Sequence, residues 1–166
     1  MPATYEPIAT TTLGSAASSI TFSSIPGTYT DLRLVLFHLS ASTNTYPYLC
    51  FNNDSATNYS YTELRGNGTA ASSLRHAAQS ELFIDPSYGS SSTIPGLCTA
   101  DIFSYSGSTF KTVLITTQAD RNGSGGVERI VGLWRSTAAL TSILVTVAGA
   151  DFAAGTTATL YGIKRA

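Results

Sequence analysis

From residue 127 onward the chain reads as three consecutive strands separated by small-residue turns, and no other stretch constrains the fold as much. Val127, Arg129, Val131 and Leu133 alternate with Glu128, Ile130, Gly132 and Trp134. Ile143, Val145 and Val147 then alternate with Leu144 and Thr146, and Leu160, Tyr161 and Ile163 close the pattern. A period of two, filled with β-branched and aromatic residues, is the signal of a sheet. Chemically reactive side chains are almost missing from it, so this stretch is built to pack.

The same signal recurs along the chain. Ten strands are expected, at residues 5–12, 18–23, 31–39, 48–52, 80–84, 97–105, 110–118, 127–135, 141–147 and 157–164. Ile25-Pro26-Gly27 and Ile94-Pro95-Gly96 place proline before glycine, as type II turns do, and Asn122-Gly123 with Gly125-Gly126 supplies the positive φ of a hairpin connection. Short strands with no convincing amphipathic helix predict an all-β sandwich or barrel. Residues 53–79 are polar, with a turn signal at Gly66-Asn67-Gly68 and room for one short helix over 69–78. They and residues 85–95 are expected as loop excursions from one end of a sandwich. A chain of 166 residues predicts one domain, with an N-terminal arm or first edge strand over 1–12 and a β-sandwich over 13–166.

Ser and Thr together supply 46 residues, whereas Asp, Glu, Lys and Arg supply only 19 and the formal net charge is -1. The surface is therefore expected to be neutral and rich in hydroxyls. Nucleic-acid binding draws its affinity from clustered Lys and Arg, and no cluster exists here. No apolar run approaches the roughly 20 residues that span a bilayer, and the first residues lack a basic and an apolar signal region. The chain is expected to be soluble and unexported, without nucleic-acid or membrane partners. Cys50 and Cys98 lie in apolar strand-like segments and read as buried free thiols.

Motifs for chemistry fail in turn. There is no G-x-S-x-G elbow and no phosphate-binding glycine loop. His38 sits in the most apolar strand and reads as a packed, hydrogen-bonded histidine; His76 lies in the polar connection and is expected to be solvated. The carboxylates Glu6, Asp31, Asp54, Glu63, Glu81, Asp85, Asp101, Asp120, Glu128 and Asp151 are scattered singly, with no pair marked for glycoside chemistry. The run from Asp120 to Gly125 imitates half a calcium loop, but Val131 stands where the bidentate Glu belongs, so a hairpin turn is the better reading. N-x-S/T triplets at Asn53, Asn58, Asn67 and Asn122 arise by chance in so hydroxyl-rich a chain. Tyr46, Tyr48, Tyr59, Tyr61 and Tyr88 cluster in or beside loops, either as a carbohydrate or protein contact surface or as covers for the sheet ends. No catalytic, cofactor-binding or metal-binding residue is assigned, no cofactor is expected, and the chain does not read as an enzyme.

Several segments resemble small structural proteins of tailed-bacteriophage virions. They are Gly132-Leu133-Trp134-Arg135-Ser136-Thr137-Ala138-Ala139, Leu140-Thr141-Ser142-Ile143, Phe152-Ala153-Ala154-Gly155-Thr156 and Thr159-Leu160-Tyr161-Gly162-Ile163-Lys164. In the N-terminal half, Tyr5-Glu6-Pro7-Ile8-Ala9-Thr10, Phe22-Ser23-Ser24-Ile25-Pro26-Gly27-Thr28-Tyr29-Thr30-Asp31-Leu32, Phe51-Asn52-Asn53 and Asn58-Tyr59-Ser60 look similar to the same family. Residues 64–92 carry no such likeness.

The resemblance implies a jelly-roll-like antiparallel β-sandwich in a virion. It favours a capsid decoration (cement) protein on the capsid exterior, bound to the major capsid protein after assembly in the bacterial cytoplasm. The alternative is a tail-fibre or tail-tip head protein whose partner is a host surface glycan or receptor, or a tail protein. Fibre subunits normally carry an attachment module and a shaft, whereas this chain turns strand-like by Tyr5. Open sheet edges and threefold lattice symmetry together suggest a homotrimer. Trp134 and the Leu32, Leu34, Leu36 face are expected in the core.

Overall fold

The computed structural model describes residues 4–42, 46–84 and 89–164, and within them the chain forms twelve strands and no helix. In order they are β1 (Tyr5–Thr12), β2 (Ser19–Phe22), β3 (Asp31–His38), β4 (Pro47–Phe51), β5 (Tyr59–Gly66), β6 (Ala71–Gln79), β7 (Leu82–Phe83), β8 (Gly96–Phe103), β9 (Lys111–Asp120), β10 (Gly125–Trp134), β11 (Ile143–Val147) and β12 (Thr157–Ile163). They form two antiparallel sheets, an eight-stranded one ordered β1-β12-β3-β8-β9-β10-β5-β6 and a four-stranded one ordered β2-β11-β4-β7. The two stack as a sandwich.

Alternation becomes burial along each central strand. Leu32, Leu34 and Leu36 point inward from β3, while Arg33, Val35 and Phe37 point out. Ile102, Val113, Ile115, Ile130 and Leu160 continue that inner layer, and Phe22, Leu49, Phe51, Ile143 and Val145 meet it from the smaller sheet. Each such side chain withdrawn from water contributes about 1.5–3 kcal/mol. Trp134 is buried as expected; its ring stacks on Tyr59 at 6.3 Å and meets the Phe51 ring edgewise at 5.6 Å.

The strand order is compatible with a jelly roll. Without β5, β6, β9 and β10, successive strands change sheet at every step except β4 to β7, leaving β1-β12-β3-β8 facing β2-β11-β4-β7. The hairpins β5–β6 and β9–β10 are additions to this frame. They arise from distant parts of the chain and pair with each other, Trp134 opposite Tyr59 and Val127 opposite Gly66. Together they widen the larger sheet from four strands to eight.

Three expectations need correction. Residues 53–79 are not a loop excursion with a short helix over 69–78, because Tyr59–Gly66 and Ala71–Gln79 are paired strands. Ala71, Leu74, Arg75 and Ala77 favour a helix locally, but a hairpin turn at Asn67 and pairing with β5 override that weak preference. The Asn67 side-chain oxygen accepts the Thr69 and Ala70 N–H groups, and Gly68 takes φ 86°. Second, Gly27 and Gly96 are not left-handed, so neither Pro-Gly pair makes a type II turn. Gly96 is needed for space instead: a Cβ there would lie 2.3 Å from His38 Nε2. Third, Tyr59 and Tyr61 are core residues of β5, not loop residues. The Asn122-Gly123 hairpin forms as read, with φ 52° and 112°.

Candidate functional site

The inner face of the larger sheet is covered along its central strands and its outer face is not. Outward side chains include Phe37, Leu64, Leu97, Phe103, Val127 and Val131, each more than a third exposed. Backbone register makes neighbours of them: Phe37 lies opposite Leu97, and Gln118 joins Leu97 to Val127 across β9. Between the apolar groups stand Thr62, Thr99, Thr112 and Thr116. Charge is sparse and mostly engaged, with Arg75 exposed on the same face. Arg33 holds Asp101 through two bonds of 2.6 and 2.8 Å, which push its pKa up, and Arg129 donates to the Thr116 hydroxyl at 2.6 Å.

At one corner of this face the β5–β6 turn, the β9–β10 turn and the start of β8 enclose an open groove of about 810 Å³. Leu97 and Val127 give it apolar walls, and Asn67, Gln118 and Asp120 give it polar ones. The Asp120 run that imitates a calcium loop forms its rim as a turn, where Asp120 Oδ1 accepts the Asn122 N–H and Arg121 N–H reaches the Ser124 carbonyl.

Polar groups also meet in the interior. His38 is buried, its Nδ1 lies 2.8 Å from Ser90 Oγ and its Nε2 lies 3.7 Å from Cys98 Sγ, which in turn sits 3.1 Å from Thr117 Oγ1. The types suit nucleophilic chemistry, but His38, Ser90, Cys98 and Thr117 are all sealed from solvent. What this network does is tie the β7–β8 connection to the sheet, helped by Ser40 N–H bonding the Ser91 carbonyl. Cys50 and Cys98 are both buried free thiols, as the sequence suggests.

Two carboxylates that read as scattered come close on the inner face. Glu63 lies opposite Ile130 and Glu128 opposite Arg65, so the two are diagonal neighbours, and both are buried. Arg65 Nη1 stands 3.7 Å from Glu63 Oε1. The clue was available: each falls on the inward phase of its strand's alternation. Among the described residues no three His, Cys, Asp or Glu side chains gather as a metal site would need.

The tyrosines divide. Burial pushes the Tyr59 and Tyr61 hydroxyl pKa values up, and Tyr59 Oη accepts the Phe51 N–H at 2.9 Å. Tyr48 is half-buried with its ring 4.1 Å from Phe83, and Phe83 in turn leans on Tyr61. His76 is not simply solvated, since it stacks on Tyr61 at 4.5 Å. These rings close the side of the sandwich between β7 and β6. Tyr46 is half-buried; Tyr88 and Asp85 lie outside the described residues.

The β4–β5 turn, the end of β10 and residues 139–142 converge at one end. Asp54 accepts the Trp134 indole N–H at 2.8 Å and an Asn58 amide N–H at 3.0 Å, and these bonds, Asn58's first, hold its carboxyl below the usual range. Asn52 Oδ1 accepts the Thr141 and Ser142 N–H groups while its amide donates to the Ala139 carbonyl. Their work is structural, joining the β4–β5 turn to the β10–β11 connection. No protein-family model, no curated protein and no solved structure matches this chain.

Proposed function

We propose that this chain is a structural binding module that attaches to another protein through the outer face of its larger sheet. The resemblance to tailed-phage virion proteins supports one setting for it: a capsid decoration protein on the virion exterior, bridging neighbouring major capsid subunits. The observation that carries the reading is that outer face, where exposed aliphatic and aromatic side chains stand among threonines and charges are few. Contiguous apolar surface rimmed by polar groups is a mark of a contact site.

A ligand that binds only the assembled lattice stabilises it by mass action. Contacts dominated by apolar area and neutral hydrogen bonds should persist in salt that screens surface ion pairs. Virions lacking the protein should lose DNA at lower temperature yet still adsorb to cells, and Val131→Asp should abolish incorporation while leaving the circular dichroism spectrum unchanged. Heat-stable particles that fail to adsorb would instead assign the chain to a tail-fibre or tail-tip head. Full incorporation of Val131→Asp together with Leu97→Asp would remove the outer face from consideration.

A further inference from the structure

The four sheet edges are not equally protected. β2 has four residues and β7 has two, too few to recruit a partner strand. β1 is longer but carries Pro7, and its register slips between Pro7 and Ala9. Short length, proline and bulges are the devices that stop edges from pairing. β6 has none of them over most of its length. It runs for nine residues without proline, its one formal charge is Arg75, and seven of the nine are exposed. Its one irregularity is at the far end, where Ala78 takes φ 54° and the register with β5 shifts between Tyr59 and Tyr61. From Ala71 to His76, one side of the strand bonds β5, and among the described residues no strand bonds the other.

We propose that β6 is a dimerisation edge, on which a second copy of this chain pairs its own β6 antiparallel about a twofold axis. The two larger sheets then continue as one. A twofold axis normal to the sheet keeps both inner faces on the same side, so each residue must meet one of its own parity. Ser72, Leu74 and His76 lie on the inner side, opposite Arg65, Glu63 and Tyr61, while Ala71, Ser73 and Arg75 lie on the outer. With Leu74 on the axis, leucine meets leucine, Ser73 meets Arg75 and Ser72 meets His76. Moving the axis to Arg75 sets two guanidinium groups against each other, which cross-strand pairing disfavours. Moving it to Ser73 leaves Leu74, 44% exposed in the single chain, facing a serine. Of these three registers, the one centred on Leu74 is the self-complementary one.

A ring of three would instead need β6 to pair with β1 of the next copy, where Pro7 and the bulge stand. Strand pairing alone buries less than the roughly 800 Å² per partner of a stable complex, so the dimer should depend on concentration. The inference does not rest on the capsid reading: a dimer with no affinity for virions sustains it, and a virion-bound monomer refutes it.

Light scattering across a concentration series should show the mass rising from 17.4 kDa toward twice that value. Leu74→Lys, at an exposed position, should weaken dimerisation at least tenfold with an unchanged circular dichroism spectrum. Under oxidation Leu74→Cys should form a disulfide-linked dimer, whereas Ala71→Cys should not, because its two thiols would sit about 20 Å apart along the paired strands. Cys50 and Cys98 are buried and do not compete. A monomer at every concentration, a trimer, an open ladder of species, or cross-linking through Ala71→Cys in place of Leu74→Cys would each overturn the proposal.

Discussion

Along β10, Glu128, Ile130, Gly132 and Trp134 point under the smaller sheet, while Val127, Arg129, Val131 and Leu133 point outward. Scored by side chain alone, the outward set is the more apolar. It nonetheless stays open, with Val127 61% and Val131 49% exposed. The covered face wins on shape. Gly132 leaves room for Leu82 of β7, since a Cβ there would come within 2.9 Å of Leu82 Cδ2. Trp134 fills the space beside Phe51 and Tyr59, and its indole N–H finds Asp54. Burial selects the set of side chains that a second sheet can fit, and a valine face with no such partner is left for another molecule.

Substitutions on the two faces of β10 should therefore diverge sharply. Trp134→Ala should cost about 3–5 kcal/mol in denaturant unfolding; a loss under about 1 kcal/mol would remove the packing argument for the inner face. Gly132→Ala adds one methyl against Leu82 and should cost about 1–3 kcal/mol by overpacking. If the double variant with Leu82→Ala lost the full sum of the two single losses, the clash would not be the cause.

Asp54→Ala takes the partner from the Trp134 indole and from Asn58. Because this carboxylate is partly solvated, about 1 kcal/mol is expected near neutral pH. The sign with pH follows from the lowered native pKa. The stabilisation is complete above the unfolded carboxylate range near pH 4 and disappears as pH falls through the lower native value. Urea midpoints of the wild type and Asp54→Ala should therefore converge in acid. Midpoints that drew closer as pH rose would reverse the assignment. The smallest effect belongs to the outer face, where Val131→Thr should change stability by less than about 0.5 kcal/mol. A larger loss in the isolated protein would mean that this face is already packed.

Much of the frame was legible in the sequence. Residues 5–12 coincide with β1, and the other nine expected strands each overlap an observed one. The β5–β6 hairpin was missed for a physical reason. Tyr59, Tyr61 and Glu63 do alternate with Ser60, Thr62 and Leu64, but β6 has no buried face of its own, and its alanines and serines show no period. No sequence spacing pairs buried Glu63 with Glu128, because they lie on strands that meet only through tertiary pairing of two separate hairpins. The sheltered network of His38, Ser90, Cys98 and Thr117 joins residues 52 and 60 positions apart, beyond any spacing motif.

An all-β chain, the inward face of β3, the left-handed Asn122-Gly123 turn and a weakly charged surface follow from the sequence by itself, because side-chain alternation, backbone φ preference and composition are local properties. Which face of β10 is covered, how two inserted hairpins lengthen one sheet, and which strand becomes its open edge follow only from the tertiary structure. Those outcomes depend on pairings between segments far apart in the chain and on whether a particular side chain, such as Leu82 over Gly132, has room to enter.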